Sequence, residues 1–233
     1  MRDTIDVAGG HRARLRARFL HNGLSGFHDY EILELLLTFV IPRRDVKPLA
    51  KALIVRFGSL TGVFDASVTD LQGVPGVGPR AATLIRFLHE GASAYLKERM
   101  RRCDSLHSAA EVVAYCRHRL SGLRYEVFEV IHLDTKNRVL EAETLHQGTI
   151  DQTVVYPRRV IEAALRQNAA ALIFVHNHPS GNPVPSRADR ELTESLVAAA
   201  QTVDMAVHDH LIIGKGGYFS FREQGWLSGG RRT

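Results

Sequence analysis

Val175-His176-Asn177-His178-Pro179-Ser180-Gly181-Asn182-Pro183-Val184-Pro185-Ser186-Arg187-Ala188-Asp189 follows directly on Ala170-Ala-Leu-Ile-Phe-Val175, a short continuous apolar run of the kind that forms a strand buried on both faces. Its Pro- and Gly-rich middle reads as a loop, and Ser186 to about Val203 reads as a helix. Histidines at i and i+2 leaving a strand point to the same side if the extended geometry continues. Asp189, eleven residues after His178, falls in the first turn of the helix, where the loop can return it to the histidines. Two imidazole nitrogens and one carboxylate leave a fourth position of a tetrahedral zinc open for water. A second reading stands beside this one: Ser186-x-x-Asp189 is close to a capping box, and the histidines are then ordinary loop residues. The two are compatible, because Ser186 can cap the helix while Asp189 turns its carboxylate to a metal.

Working outward, Tyr125–Leu133 and Val139–Leu145 are rich in β-branched and aromatic residues around Lys136-Asn137, which predicts a hairpin. Pro157 opens a helix to about Gln167, and Ala206–Ile213 and Tyr218–Phe221 read as strands. Alternating strands and helices imply an α/β layer domain over 105–226. The first 100 residues look different. Asp29–Val40, stopped by Pro42, and Val46–Phe57 read as helices, and Leu96–Asp104 reads as a charged linker near residue 100.

The chain of 233 residues is 45% hydrophobic and 24% charged, near globular averages, so disordered and fibrous classes are excluded. The apolar stretch Leu35–Ile41 is far short of the roughly 18 residues of a membrane helix, and the start has no apolar signal core, so a cytoplasmic protein with no membrane partner is expected. Cys103 and Cys116 are isolated, which argues against a disulfide framework or a thiolate metal site. Net charge is +5, of which +4 lies in residues 1–100, including the arginine-rich His11–Leu20. That bias is mild support for a polyanion partner there.

Leu71-Gln-Gly-Val-Pro-Gly76-Val77-Gly78-Pro79-Arg80 is the legible motif of this first part. Its glycines permit a tight turn, and the helix after it points N–H groups at whatever sits there, a phosphate most naturally. Over about 67–90 it resembles the helix-hairpin-helix of DNA-repair and replication proteins. The resemblance implies that Gly76, Val77 and Gly78 grip a DNA phosphate through backbone while Arg80 neutralises it, without sequence preference. A packing device with no ligand is the other reading.

The order His176-x-His178, seven residues, Ser186, two residues, Asp189 matches the signature of the JAMM (MPN+) zinc hydrolases, and His-Asn-His-Pro-Ser-Gly-x-Pro-x-Pro-Ser resembles their bacterial RadC branch. The resemblance continues through Glu126-Val-Phe128, Leu133–Asn137, Gly148-Thr149, Tyr156-Pro-Arg158, Asn168-Ala-Ala170 and Asp209–Gly214. It implies a JAMM/MPN-like mixed-sheet α/β domain after a small all-α helix-hairpin-helix domain. It also implies zinc on His176, His178 and Asp189, Ser186 at the oxyanion, and a peptide or protein substrate cleaved at an amide or isopeptide bond. The general base is a glutamate on an early strand. Strand alternation puts Glu126 and Glu129 on opposite faces and does not choose between them; the resemblance assigns Glu126. Two other classes remain: a DNA-binding accessory protein of repair or recombination with a non-catalytic metal domain, and a metal-dependent nuclease. His-Glu-x-x-His is absent, and no Asp-His follows the histidine pair as metallo-β-lactamase-type sites require. His208 and His210 repeat the His-x-His spacing without a suitably placed carboxylate, and read as buried or supporting histidines.

Overall fold

The computed structural model describes residues 10–102, 108–148 and 155–227. The chain divides into two compact units, residues 1–91 and 92–233. The division falls inside helix α6 (Pro79–Arg102), which corrects the expected linker near residue 100: Leu96–Arg102 is helical, and Met100 is fully buried in the core of the second unit. The charge there marks the exposed side of a helix. Cys103 and Thr149 lie outside the described residues.

The first unit is helical: α1 (His11–Asn22), α2 (Asp29–Leu37), α3 (Lys47–Phe57), α4 (Leu60–Asp65), α5 (Val68–Gln72) and the start of α6. Leu33, Leu37, Leu53, Leu71 and Ile85 form the centre of its apolar core. Leu15 is the buried residue of α1, with Arg14 and Arg16 exposed and Arg12 and Arg18 half-buried. Ser59 and Ser67 cap α4 and α5 by accepting the N–H of Gly62 and Asp70, both at 3.0 Å.

The second unit carries a five-stranded mixed sheet in the order β2-β1-β3-β4-β5, from β1 (Glu126–Leu133), β2 (Val139–Gly148), β3 (Ala171–Asn177), β4 (Ala206–Gly214) and β5 (Gly217–Ser220). Only β3 and β4 are parallel, and the chain crosses between them through α9 (Arg187–Gln201). Period-2 alternation sends the two sides of each strand into different cores. Val127, Ile131, Leu133, Val175 and Leu211 pack with α7 (Ser108–Leu120), whereas Phe128, Val130, Leu172 and Phe174 pack with α8 (Pro157–Arg166) and α9. The predicted hairpin is present, its turn closed by Asn137 at φ 60°. Strand β3 runs two residues beyond the predicted end, so His176 belongs to the strand itself and pairs with Phe128.

Candidate metal centre

At the end of β3, His178 is the first residue off the strand, and its N–H donates to the Ile213 carbonyl at 2.9 Å, which keeps the chain beside β4. The following loop turns at Gly181, where φ is +85°, and the Lys215 N–H donates to the Gly181 carbonyl at 3.1 Å. Gly214 makes this approach possible: a Cβ there would lie 2.4 Å from the Gly181 oxygen. The loop thus brings the Asn182 carbonyl to His178 Nδ1 at 2.8 Å. Because a carbonyl only accepts, Nδ1 carries the proton and Nε2 faces the site.

Ser186 caps α9 as the sequence predicts, its Oγ accepting the Asp189 N–H at 3.2 Å. Asp189 Oδ2 in return accepts the Ser186 N–H at 2.6 Å and its O–H at 2.7 Å. The same carboxylate reaches the histidines, with Oδ1 3.1 Å from His176 Nε2 and Oδ2 3.4 Å from His178 Nε2, while the two Nε2 atoms stand 3.1 Å apart. Capping and convergence therefore coexist. Among the described residues, His176, His178 and Asp189 bring one donor atom each to within 4.8 Å of one another. Two imidazole nitrogens and a carboxylate oxygen suit zinc and leave a position open, so the set fits the metal that the signature implies.

The electrostatics point the same way. Burial raises the Asp189 carboxyl, but hydrogen bonds with His176 and His178, the charge on His176 and the Ser186 hydroxyl outweigh it and hold the carboxyl well below the usual range. His178 is pushed up, first by its bond to Asp189, against burial, with the Asn182 carbonyl and the charges of Asp189 and Glu126 adding to the rise. His210, fully buried, is held well below the imidazole range by desolvation and then by the charge on His176.

Glu126 shares its strand face with Phe128, whose ring stacks on His176 at 6.4 Å between centroids. Glu129 lies on the opposite face, 1% exposed, taken up by Arg119 Nε at 2.6 Å and the Thr144 hydroxyl at 2.9 Å. Glu129 is thus engaged on the α7 side, whereas Glu126 lies on the face that carries Phe128 and its partner His176. Asn177, between the two histidines, holds that position: its Oδ1 accepts the Val127 N–H at 2.8 Å and its Nδ2 donates to the Tyr125 carbonyl at 3.0 Å. One amide grips the backbone on both sides of Glu126. The sequence carries no sign of this role beyond an uncharged amide between two histidines. Nor does it single out Thr193 or distinguish His208 from His210. His208 Nε2 contacts Asn137 Oδ1 at 2.6 Å by the hairpin turn, whereas His210 Nε2 lies 2.8 Å from His176 Nδ1.

In the helical unit, Gly76 has φ +97°, and a Cβ there would stand 3.2 Å from the Arg44 guanidinium. Arg80 is exposed in the first turn of α6. The expectation for Val77 is corrected: its N–H donates to the Val74 carbonyl at 3.0 Å and its side chain is buried, so that amide closes the turn and is not offered to a phosphate.

Comparison with known proteins agrees with the geometry. The family model described as RadC-like JAB domain matches residues 106–226. UPF0758 protein SPO0054 of Ruegeria pomeroyi is 42% identical over 217 residues, covering 93% of this chain and 97% of its own. Among the described residues, no helix is long and apolar enough to cross a membrane.

Proposed function

Since the chain belongs to the RadC-like JAB domain family, with its metal-dependent hydrolase-like domain, we propose that it is a zinc-dependent hydrolase of amide, peptide or isopeptide bonds, acting in the cytoplasm and coupled to a non-specific DNA-binding domain. The convergence of His176 Nε2, His178 Nε2 and Asp189 is the observation that carries this reading. When bound, zinc supplies Lewis acidity and lowers the pKa of water. His176, His178 and Asp189 hold it. Glu126 takes a proton from the attacking water and passes it to the leaving amine, a transfer that needs a carboxylate separate from the ligands. Ser186 swings its O–H from Asp189 to the developing oxyanion. Gly76, Gly78 and Arg80 supply the DNA contact.

The test is elemental analysis of the purified protein together with turnover of peptide, isopeptide and DNA substrates by the wild type and Glu126→Gln. Stoichiometric zinc in both, with cleavage of a peptide or isopeptide lost by about 100- to 10,000-fold in the variant, supports the hydrolase. Cleavage of DNA that depends on the same ligands moves the reading to a nuclease. Zinc without turnover favours an accessory protein of repair or recombination. Stoichiometric zinc absent from the wild type overturns the metal centre.

A further inference from the structure

Behind His176 the buried hydrogen bonds have a direction, set by the single proton of a hydroxyl. Thr193, 3% exposed on α9, donates its O–H to the Asp189 carbonyl oxygen at 2.5 Å. With its only proton spent, Oγ1 accepts from His210 Nδ1 at 2.6 Å. The His210 ring is sealed among Phe128, Phe174 and Phe221, the last stacked on it at 5.0 Å, an environment that disfavours an imidazolium. A neutral ring protonated on Nδ1 has an acceptor at Nε2. His176 Nδ1, 2.8 Å away, must then be the donor, and the His176 Nε2 lone pair is left facing His178 and Asp189.

We propose that Thr193 and His210 are positioning residues that impose the Nδ1–H tautomer on His176 and so select Nε2 as the nitrogen it offers to the metal. This rests on the metal centre proposed above. His178 reaches the same tautomer by another device, the Asn182 carbonyl of its own loop, so a defect in the buried relay leaves the His178 tautomer unchanged. The relay begins at the backbone oxygen of Asp189, which ties the orientation of the β3 ligand to the first turn of α9, where the third ligand sits.

The experiment uses the full-length protein. Zinc affinity is measured by chelator competition, and the zinc-loaded, 15N-histidine-labelled protein is examined by NMR. Thr193→Val keeps the shape and removes the hydroxyl, Thr193→Ser keeps the hydroxyl, and His210→Phe keeps an aromatic ring in its box while removing both nitrogens. We expect Thr193→Val and His210→Phe to weaken zinc by about 10–100-fold, and Thr193→Ser to stay near the wild type. The wild type and Thr193→Ser should show a slowly exchanging His176 Nδ1–H, and Thr193→Val should lose it, a readout that packing alone does not move. Wild-type affinity with the Nδ1–H intact in Thr193→Val overturns the relay and leaves the metal centre standing. Thr193→Ser as weak as Thr193→Val assigns the effect to packing and also overturns it. If Thr193→Val does not fold, His210→Phe decides by the same affinity measurement. Failure of the wild type itself to bind zinc overturns the metal centre, and the relay with it.

Discussion

In the helical unit the side chain of each buried polar group turns to a separate partner among the described residues: Glu34 bonds His11 at 2.7 Å, Thr38 donates to its own helix at the Leu35 carbonyl, and His89 faces Asp65 at 3.7 Å. In the α/β unit His176, Asn177, Asp189, Thr193 and His210 are buried together and joined by hydrogen bonds, directly or through the strand they share. Burying polar groups costs free energy unless each finds a partner, so isolated local solutions are what a structural core needs, whereas a connected set ending in convergent lone pairs is built to hold something. The proposed chemistry of the helical unit lies in backbone and in exposed arginine, which leave no such mark in burial.

The sharpest way to break this contrast is to remove a ligand. His178→Ala should lose stoichiometric zinc in elemental analysis while leaving the apolar core of the helical unit untouched; retained zinc would end the claim that the connected set is a metal centre. Next in size is Asn177→Ala, which strands the Val127 N–H and the Tyr125 carbonyl. The orphaned Val127 N–H, which is buried, costs about 1–3 kcal/mol, readable by denaturant unfolding, and zinc content should not change. Unaltered stability would mean that Asn177 does not hold the strand at Glu126.

A smaller effect comes from pH. His178 is raised above the ordinary imidazole value of about 6.5, so the zinc-free protein keeps its proton to higher pH and zinc must displace it. Affinity should fall about tenfold per pH unit below the raised value and level off above it, as one displaced proton requires. The sign for folding without metal is the reverse: the stabilisation is fully present below about 6.5 and is lost as pH rises through the raised value. Zinc affinity flat across this window would show that His178 binds no proton in competition. The smallest effect belongs to the helical unit, where Arg80→Glu should weaken DNA binding equally for all sequences and reduce its salt slope by about 1. No binding even at low salt would leave the turn at Gly76 as a packing motif.

Much of the site was legible because its parts are local. The spacing from His176 to Asp189 and the cap at Ser186 depend on one strand end, one loop and one helix start, so short-range rules suffice for them. The helix starts at Asp29, Pro79 and Pro157 were readable for the same reason. The end of β3 was not, because His176 and Asn177 are held extended by pairing with β1 and β4, and apolar content gives no sign of that. The charged end of α6 misled for a related reason: one buried face, with Met100 at its centre, keeps residues helical that look like a linker.

What the sequence determined by itself was the change from a helical to an α/β part and the donor spacing of His176, His178 and Asp189, since hydrophobic periodicity and donor spacing are properties of neighbouring residues. The tertiary structure decided which glutamate stands by the site, which histidine of His208 and His210 supports it, and which nitrogen His176 presents. Each of those is a contact between segments tens of residues apart, fixed by sheet register and by the direction of buried hydrogen bonds, neither of which exists before the strands pair.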